Sequence, residues 1–126
     1  MAARTIYKIV SEAEWRAAEV AGRFEGSAVD RQDGFIHFST AAQAPETAAK
    51  HFAGALDLLL VAVDANALDL TNPHQLKWEP SRGGALFPHL YGPLPLSAVR
   101  RVEPLPLCAS GAHRFPDMLD LPGGDG

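Results

Sequence analysis

The chain predicts an α+β fold, with a mixed or antiparallel sheet and helices on one side. Three features carry that expectation. The first half alternates strand, helix, strand, helix, strand; strand-like runs outnumber helical ones; and the later strands follow one another closely.

Residues 5–10 (Thr-Ile-Tyr-Lys-Ile-Val) are β-branched and aromatic, which suits a strand. Ser11 and Glu14 then have capping-box spacing, so a helix is expected from Glu12 to about Ala21, with Trp15, Ala18 and Val20 toward the core and Gly22 as its stop. Residues 24–33 mix charge and glycine and read as a loop. A second strand is expected over residues 34–39 (Gly-Phe-Ile-His-Phe-Ser). Thr40 and Gln43 form a second capping box that opens a helix to about Ala53. Pro45 falls past its ideal first position in that helix, which costs a hydrogen bond or marks an irregular first turn.

Residues 56–63 are apolar and of strand length, so they predict a central strand covered on both faces. A short helical piece at residues 65–68 follows, then a turn at Asn72-Pro73. Short strands are expected at residues 76–79 and 87–91, separated by a flexible tip at residues 80–84. Gly92-Pro93 ends the second of them. A turn at residues 96–98 leads to a last strand over residues 99–105. The apolar pattern lapses from Cys108 onward, and residues 122–126 should be disordered. The expected organisation is one domain over residues 4–106 and a C-terminal tail, partly disordered, over residues 107–126.

Composition bounds the function. The 126 residues fit one domain, which at this size needs neither disulfide nor metal to hold together. A hydrophobic fraction of 47% and a charged fraction of 21% are those of an ordinary globular protein. The net charge of −4 argues against nucleic acid as a partner, since phosphate-backbone binders carry a basic stripe. No run is long enough to span a bilayer and no signal-peptide core is present, so no membrane partner is expected. The single cysteine, Cys108, fits a cytoplasmic location. The five histidines lack metal-ligand spacing, and no metal is expected.

Two segments carry the residue types from which chemistry is built. On a strand, Phe35, His37 and Ser39 share one face and Ile36 and Phe38 the other. An imidazole and a hydroxyl therefore stand together, next to a helix start where Ser39 and Thr40 meet unpaired N–H groups able to hold a phosphate or carboxylate. The alternative is a hydrogen-bonded, partly buried His37, with Thr40 as a cap. The second segment is Pro88-His89-Leu90-Tyr91-Gly92-Pro93. Its prolines stiffen it, Gly92 allows close approach of a ligand, and His89 and Tyr91 share a face. It reads as a ligand wall or as a proline-rich connector with Tyr91 packed on the core. Glu79, beside the flexible tip, orients a sugar hydroxyl or is a solvated edge charge.

Several strings resemble one family: Ile6-Tyr7-Lys8-Ile9, Trp15, Asp33-Gly34-Phe35-Ile36-His37-Phe38-Ser39-Thr40, Gln43, the apolar strand before Asp64, Leu76-Lys77-Trp78-Glu79 and His89-Leu90-Tyr91-Gly92-Pro93-Leu94. On these the chain is identified as a member of the bacterial domain-of-unknown-function family number nine hundred and fifty-two, over roughly residues 4–106. That family is distantly similar to the ADP-ribosyltransferase superfamily. The similarity implies a largely antiparallel split sheet with two main helices and an NAD-binding cleft. It implies NAD as substrate, with His37 and Glu79 catalytic: His37 on the nicotinamide ribose, Glu79 on the developing cation. Ser39, Thr40, His89, Tyr91 and Gly92 would bind the cofactor, with Tyr91 as the stacking aromatic. The alternatives are a non-catalytic module for a nucleotide or small metabolite, and a protein interaction domain using residues 88–95.

Overall fold

The computed structural model describes residues 4–71, 74–81 and 84–115. The elements in chain order are β1 (Thr5–Ser11), α1 (Glu12–Ala21), β2 (Arg23–Phe24), α2 (Ala28–Asp33), β3 (Ile36–His37), α3 (Ala44–His51), β4 (Leu58–Asp64), α4 (Ala65–Thr71), β5 (Leu76–Ser81), β6 (Ala85–Leu90), β7 (Leu94–Pro95), a 3-10 turn (Leu96–Ala98) and β8 (Val99–Leu105). The fold is α+β, as the sequence predicts. Among the described residues the strands form three sheets, in the orders β1-β4-β8, β2-β7 and β3-β6-β5, and every pair is antiparallel.

β4 is the central strand of the first sheet, and its alternation explains the apolar run. Leu59, Val61 and Val63 enter one core with Ile6, Val10, Trp15, Ile36, Phe38 and Leu90. Leu58, Leu60 and Ala62 enter a second core with Tyr7, Ile9, Ala48 and Leu105. A strand covered on both faces has no use for polar alternation. Leu60 is fully buried, and truncating such a leucine to alanine costs about 2–5 kcal/mol.

The two cores also correct the expected layering. Trp15 and Ala18 of α1 and Leu68 of α4 cover one face of this sheet, while Ala48 of α3 covers the other. Helices therefore lie on both sides, not one. Among the described residues four α-helices stand where two main ones and a short helical piece at residues 65–68 were expected; α2 is the addition. α1 has the predicted bounds, with the Ser11 side chain accepting from Glu14 N, and ends at Gly22. Val20 is 91% exposed and not in the core, because Trp15 and Ala18 define a stripe that leaves it on the outer face.

Residues 24–33 are not a loop. Arg23 and Phe24 pair with β7, and Ser27 and Asp30 form a full capping box that starts α2. The strand expected over residues 34–39 shrinks to Ile36–His37, followed by an isolated bridge at Ser39. Thr40 and Gln43 make the reciprocal bonds of a capping box, but within a turn, and α3 begins only at Ala44 and ends at His51. Pro45 thereby falls in the first turn, where its missing N–H has no helical partner to lose. The turn expected at Asn72-Pro73 and the disorder expected at residues 122–126 lie outside the described residues.

Candidate functional site

The site begins at a strand pairing that stops after one step. Tyr7 N donates to Ser39 O at 2.7 Å and Ser39 N donates to Tyr7 O at 2.8 Å, which ties the edge of β1 to the end of β3. Continued antiparallel pairing would set Ile9 against His37. Asp30 takes that place. Its Oδ1 accepts from His37 N at 3.2 Å, satisfying the N–H that a strand partner would otherwise meet. A carboxylate thus stands between the two sheet edges, and the strands part around it.

Asp30 is only 2% exposed and its acceptor capacity is well used. Lys8 Nζ approaches Oδ2 at 2.8 Å and Oδ1 at 3.0 Å. His37 Nδ1 lies 2.6 Å from Oδ1, and Ser27 N donates to Oδ2 at 2.9 Å. Burial alone would raise this carboxyl; the bond from His37, the Lys8 charge and the Ser27 N–H outweigh it and hold it well below the usual carboxylate range. For Lys8, burial pulls the ammonium below its ordinary value, with Asp30 opposing that pull. Local geometry protects the arrangement. Gly26 has φ +105°, and a Cβ there would come within 2.8 Å of the Asp30 Cβ.

An ionised Asp30 is an acceptor only, so it takes the N–H of His37 Nδ1. His37 Nε2 lies 2.9 Å from Asp33 Oδ2, one helical turn along α2. His89 stands directly opposite His37 in the β3–β6 ladder. Its Nδ1 is 2.8 Å from Glu79 Oε1, and Tyr91 OH donates to that same oxygen at 2.7 Å. These bonds, from His89 first and Tyr91 second, lower the Glu79 carboxyl. The bond to Glu79 raises the Tyr91 phenol. Phe35 packs against three of these rings, stacked on His89 at 4.2 Å and tilted against His37 at 4.6 Å and Tyr91 at 5.1 Å.

Where β1 and β3 part, a cavity of about 560 Å³ opens, within the range of small-molecule sites. Lys8, Asp30, Asp33, His37, Ser39 and His89 line it, together with Glu14, Thr47, His51 and several apolar side chains. The structure therefore brings together His37, Ser39 and His89 from the predicted set. Ser39 Oγ is bonded to Thr47 Oγ1 at 3.0 Å. Glu79 and Tyr91 sit beside the cavity, joined to it through His89, and are not part of its lining. Thr40 caps its own turn with Gln43. Gly92 does allow a close approach, but what approaches it is the Gln75 side chain, which a Cβ would overlap.

Sequence reasoning missed Lys8, Asp30 and Asp33. The Ser27-x-x-Asp30 spacing is a capping-box signal that marks α2 and both acids. Lys8, a lone charge inside an apolar strand, was the other available sign. His51, at the end of α3, is exposed and also lines the cavity.

Among the described residues no helix is long and apolar enough to cross a membrane, and no group of three or more His, Cys, Asp or Glu is placed to hold a metal ion. The family described as "Protein of unknown function (DUF952)" matches residues 9–102. The crystal structure of protein CC0527 from Caulobacter crescentus is similar, at 56% identity over 93% of this chain and 99% of that one, with a TM-score of 0.86. A crystal structure of a double mutant of CC0527 gives 55% identity, the same coverage and a TM-score of 0.85. The solution NMR structure of CC0527 gives 58% identity over 86% of this chain and 90% of that one, with a TM-score of 0.74. No curated protein matches. With three quarters of its length inside the family's bounds, the chain belongs to the DUF952 family.

Proposed function

We propose that the cleft between β1 and β3 is a small-molecule site for the ribosyl end of a nucleotide-like ligand, and that the protein is an ADP-ribosyltransferase-like enzyme of the cytoplasm with NAD as its substrate. One observation carries the reading: His37 and His89, far apart in sequence, stand opposite each other and line one cavity that Asp30 holds open. The ADP-ribosyltransferase likeness itself rests on the resemblance of residues alone.

In this reading His37 positions the ribose, its ring fixed by Asp30. Positioning of this kind lowers the barrier by removing orientational freedom before the reaction. The placement of Glu79 and Tyr91 outside the lining shifts two roles. Asp33, at the cavity wall, is the acid that faces a developing ribosyl cation, and Tyr7 or Phe87 supplies an aromatic wall. Glu79 and Tyr91 act through His89.

The same placement of Glu79 favours a second reading, a non-catalytic module that binds a nucleotide or small metabolite. Calorimetric titration with NAD, paired with chromatography for nicotinamide, separates the two. Saturable binding that His37→Ala weakens supports the site; nicotinamide release makes it an enzyme, and saturation without release makes it a binding module. Absence of binding at millimolar NAD, or binding untouched by His37→Ala, ends the NAD reading.

A further inference from the structure

His37 and His89 share a pattern and differ in one respect. Each presents Nδ1 to a carboxylate, Asp30 for His37 and Glu79 for His89. Nε2 of His37 faces another carboxylate, Asp33, so both of its ring partners are acceptors and the ring is set to donate from both nitrogens. His89, with a side chain only 7% exposed, meets one carboxylate among the described residues, Glu79; donating through Nδ1 leaves a lone pair on Nε2 of a ring that lines the cavity. One imidazole is arranged to give a proton and the other to take one, with ring centroids 5.5 Å apart.

The lining charges narrow the ligand. Among the described residues of the lining, Glu14, Asp30 and Asp33 are acidic, and the one lysine or arginine, Lys8, is committed to Asp30. A wall of that sign offers phosphate no free cation inside the cavity, so the phosphates of a dinucleotide would lie outside it, and the enclosed part suits a neutral group rich in hydroxyls. A neutral nucleoside requires what the two histidines supply. Its base leaves as an anion unless protonated, whereas nicotinamide leaves NAD already neutral.

We propose that this cavity hydrolyses the N-glycosidic bond of uncharged, phosphate-free nucleosides, with His37 as the acid and His89 as the base. The bond from C1′ to the base nitrogen breaks, its electron pair stays on that nitrogen, and the nitrogen takes the proton of His37 Nε2. Water forms the new bond to C1′ and gives its proton to His89 Nε2. The products are free base and ribose, and solvent returns the proton from His89 to His37. Asp33, 45% exposed at the cavity rim, yields Nε2 to the leaving base. The inference rests on the ribosyl site proposed above and names its substrate class.

The test incubates the full chain with inosine, with uridine and, separately, with NAD, and follows free base and nicotinamide by chromatography. Base release from the nucleosides is expected. His37→Gln and His89→Gln should each lower it by about 100-fold or more. The rate should follow a bell-shaped pH profile. The groups facing the two imidazoles are Asp30, Asp33 and Glu79, with Lys8, Glu14 and His51 elsewhere in the lining. Circular dichroism checks the fold of each variant. Should a histidine variant unfold, Glu79→Gln, which alters one atom outside the lining, still slows release and reshapes the basic or acidic limb. Nucleoside cleavage unchanged in all three variants overturns the proposal. NAD bound or cleaved while the nucleosides stay inert also overturns it and leaves the ribosyl site standing. Binding of neither class overturns both.

Discussion

His37 and His89 occupy opposed positions in the β3–β6 ladder, and the Phe35 ring packs against both. Two imidazoles meeting across a sheet edge would otherwise turn freely about χ2. Here each is pinned by a carboxylate on Nδ1 and by the same aromatic ring. An aromatic contact of this kind contributes about 0.5–1.5 kcal/mol. Phe35→Ala should therefore cost about 1 kcal/mol of stability in urea unfolding. It should also broaden or shift the ring resonances of both histidines in NMR spectra. Unchanged resonances for either ring would show that the contact does not hold it.

Asp30 should dominate the acid limb of stability. Unfolded, it binds a proton near pH 3.9; folded, it does so only at lower pH. Between those two values the unfolded chain holds more protons, so stability rises with pH there. The Asp30 contribution is complete above about pH 5 and is lost as pH falls toward the folded value. Asp30→Asn should flatten this limb. Asp30→Ala, which strands the buried Lys8 ammonium, should cost about 3–5 kcal/mol at neutral pH. Adding Lys8→Met should recover much of that loss. Chemical denaturation from pH 2.5 to 7 reads all three, and an unchanged acid limb in Asp30→Asn would remove Asp30 from this role.

A single methyl group at Gly26 tests the same carboxylate from behind. Its φ of +105° disfavours any Cβ, and the nearest atom, the Asp30 Cβ at 2.8 Å, belongs to a side chain held by Lys8, His37 and Ser27. Gly26→Ala should cost about 1–3 kcal/mol and displace the carboxylate from His37. Thermal unfolding gives the first quantity and the His37 ring shifts the second. A variant as stable as the parent would mean that Asp30 can move without cost.

Periodicity and caps made the frame legible: the bounds of α1 and β8, the doubly covered β4 and the face shared by His37 and Ser39 all follow from local pattern. The split between β1 and β3 did not, because it depends on Asp30, twenty-two residues beyond its partner Lys8 and carried on a helix of six residues. Mixed charge and glycine around residues 24–33 resemble a loop unless the Ser27-x-x-Asp30 spacing is weighed. Glu79 was legible as a candidate acid but not in its direction. Only the β5–β6 register, which sets Lys77 opposite His89, places the Glu79 carboxylate on the histidine instead of in the cavity.

That carboxylate can be read through the Tyr91 phenol. Tyr91 OH donates to Glu79 Oε1, so ionising the phenol both breaks this bond and sets two negative charges together. The phenol is accordingly raised above its ordinary value, the bond to Glu79 being the leading cause. Alkaline titration followed by tyrosinate absorbance should show a tyrosine that ionises above about pH 10. Tyr91→Phe should remove that step and leave buried Tyr7 as the one remaining tyrosine. Glu79→Gln should bring the step back toward pH 10 and loosen His89 at the same time. A Tyr91 midpoint identical in parent and Glu79→Gln would mean that the carboxylate does not bridge Tyr91 to His89, and His89 would lose the partner that orients it toward the cavity.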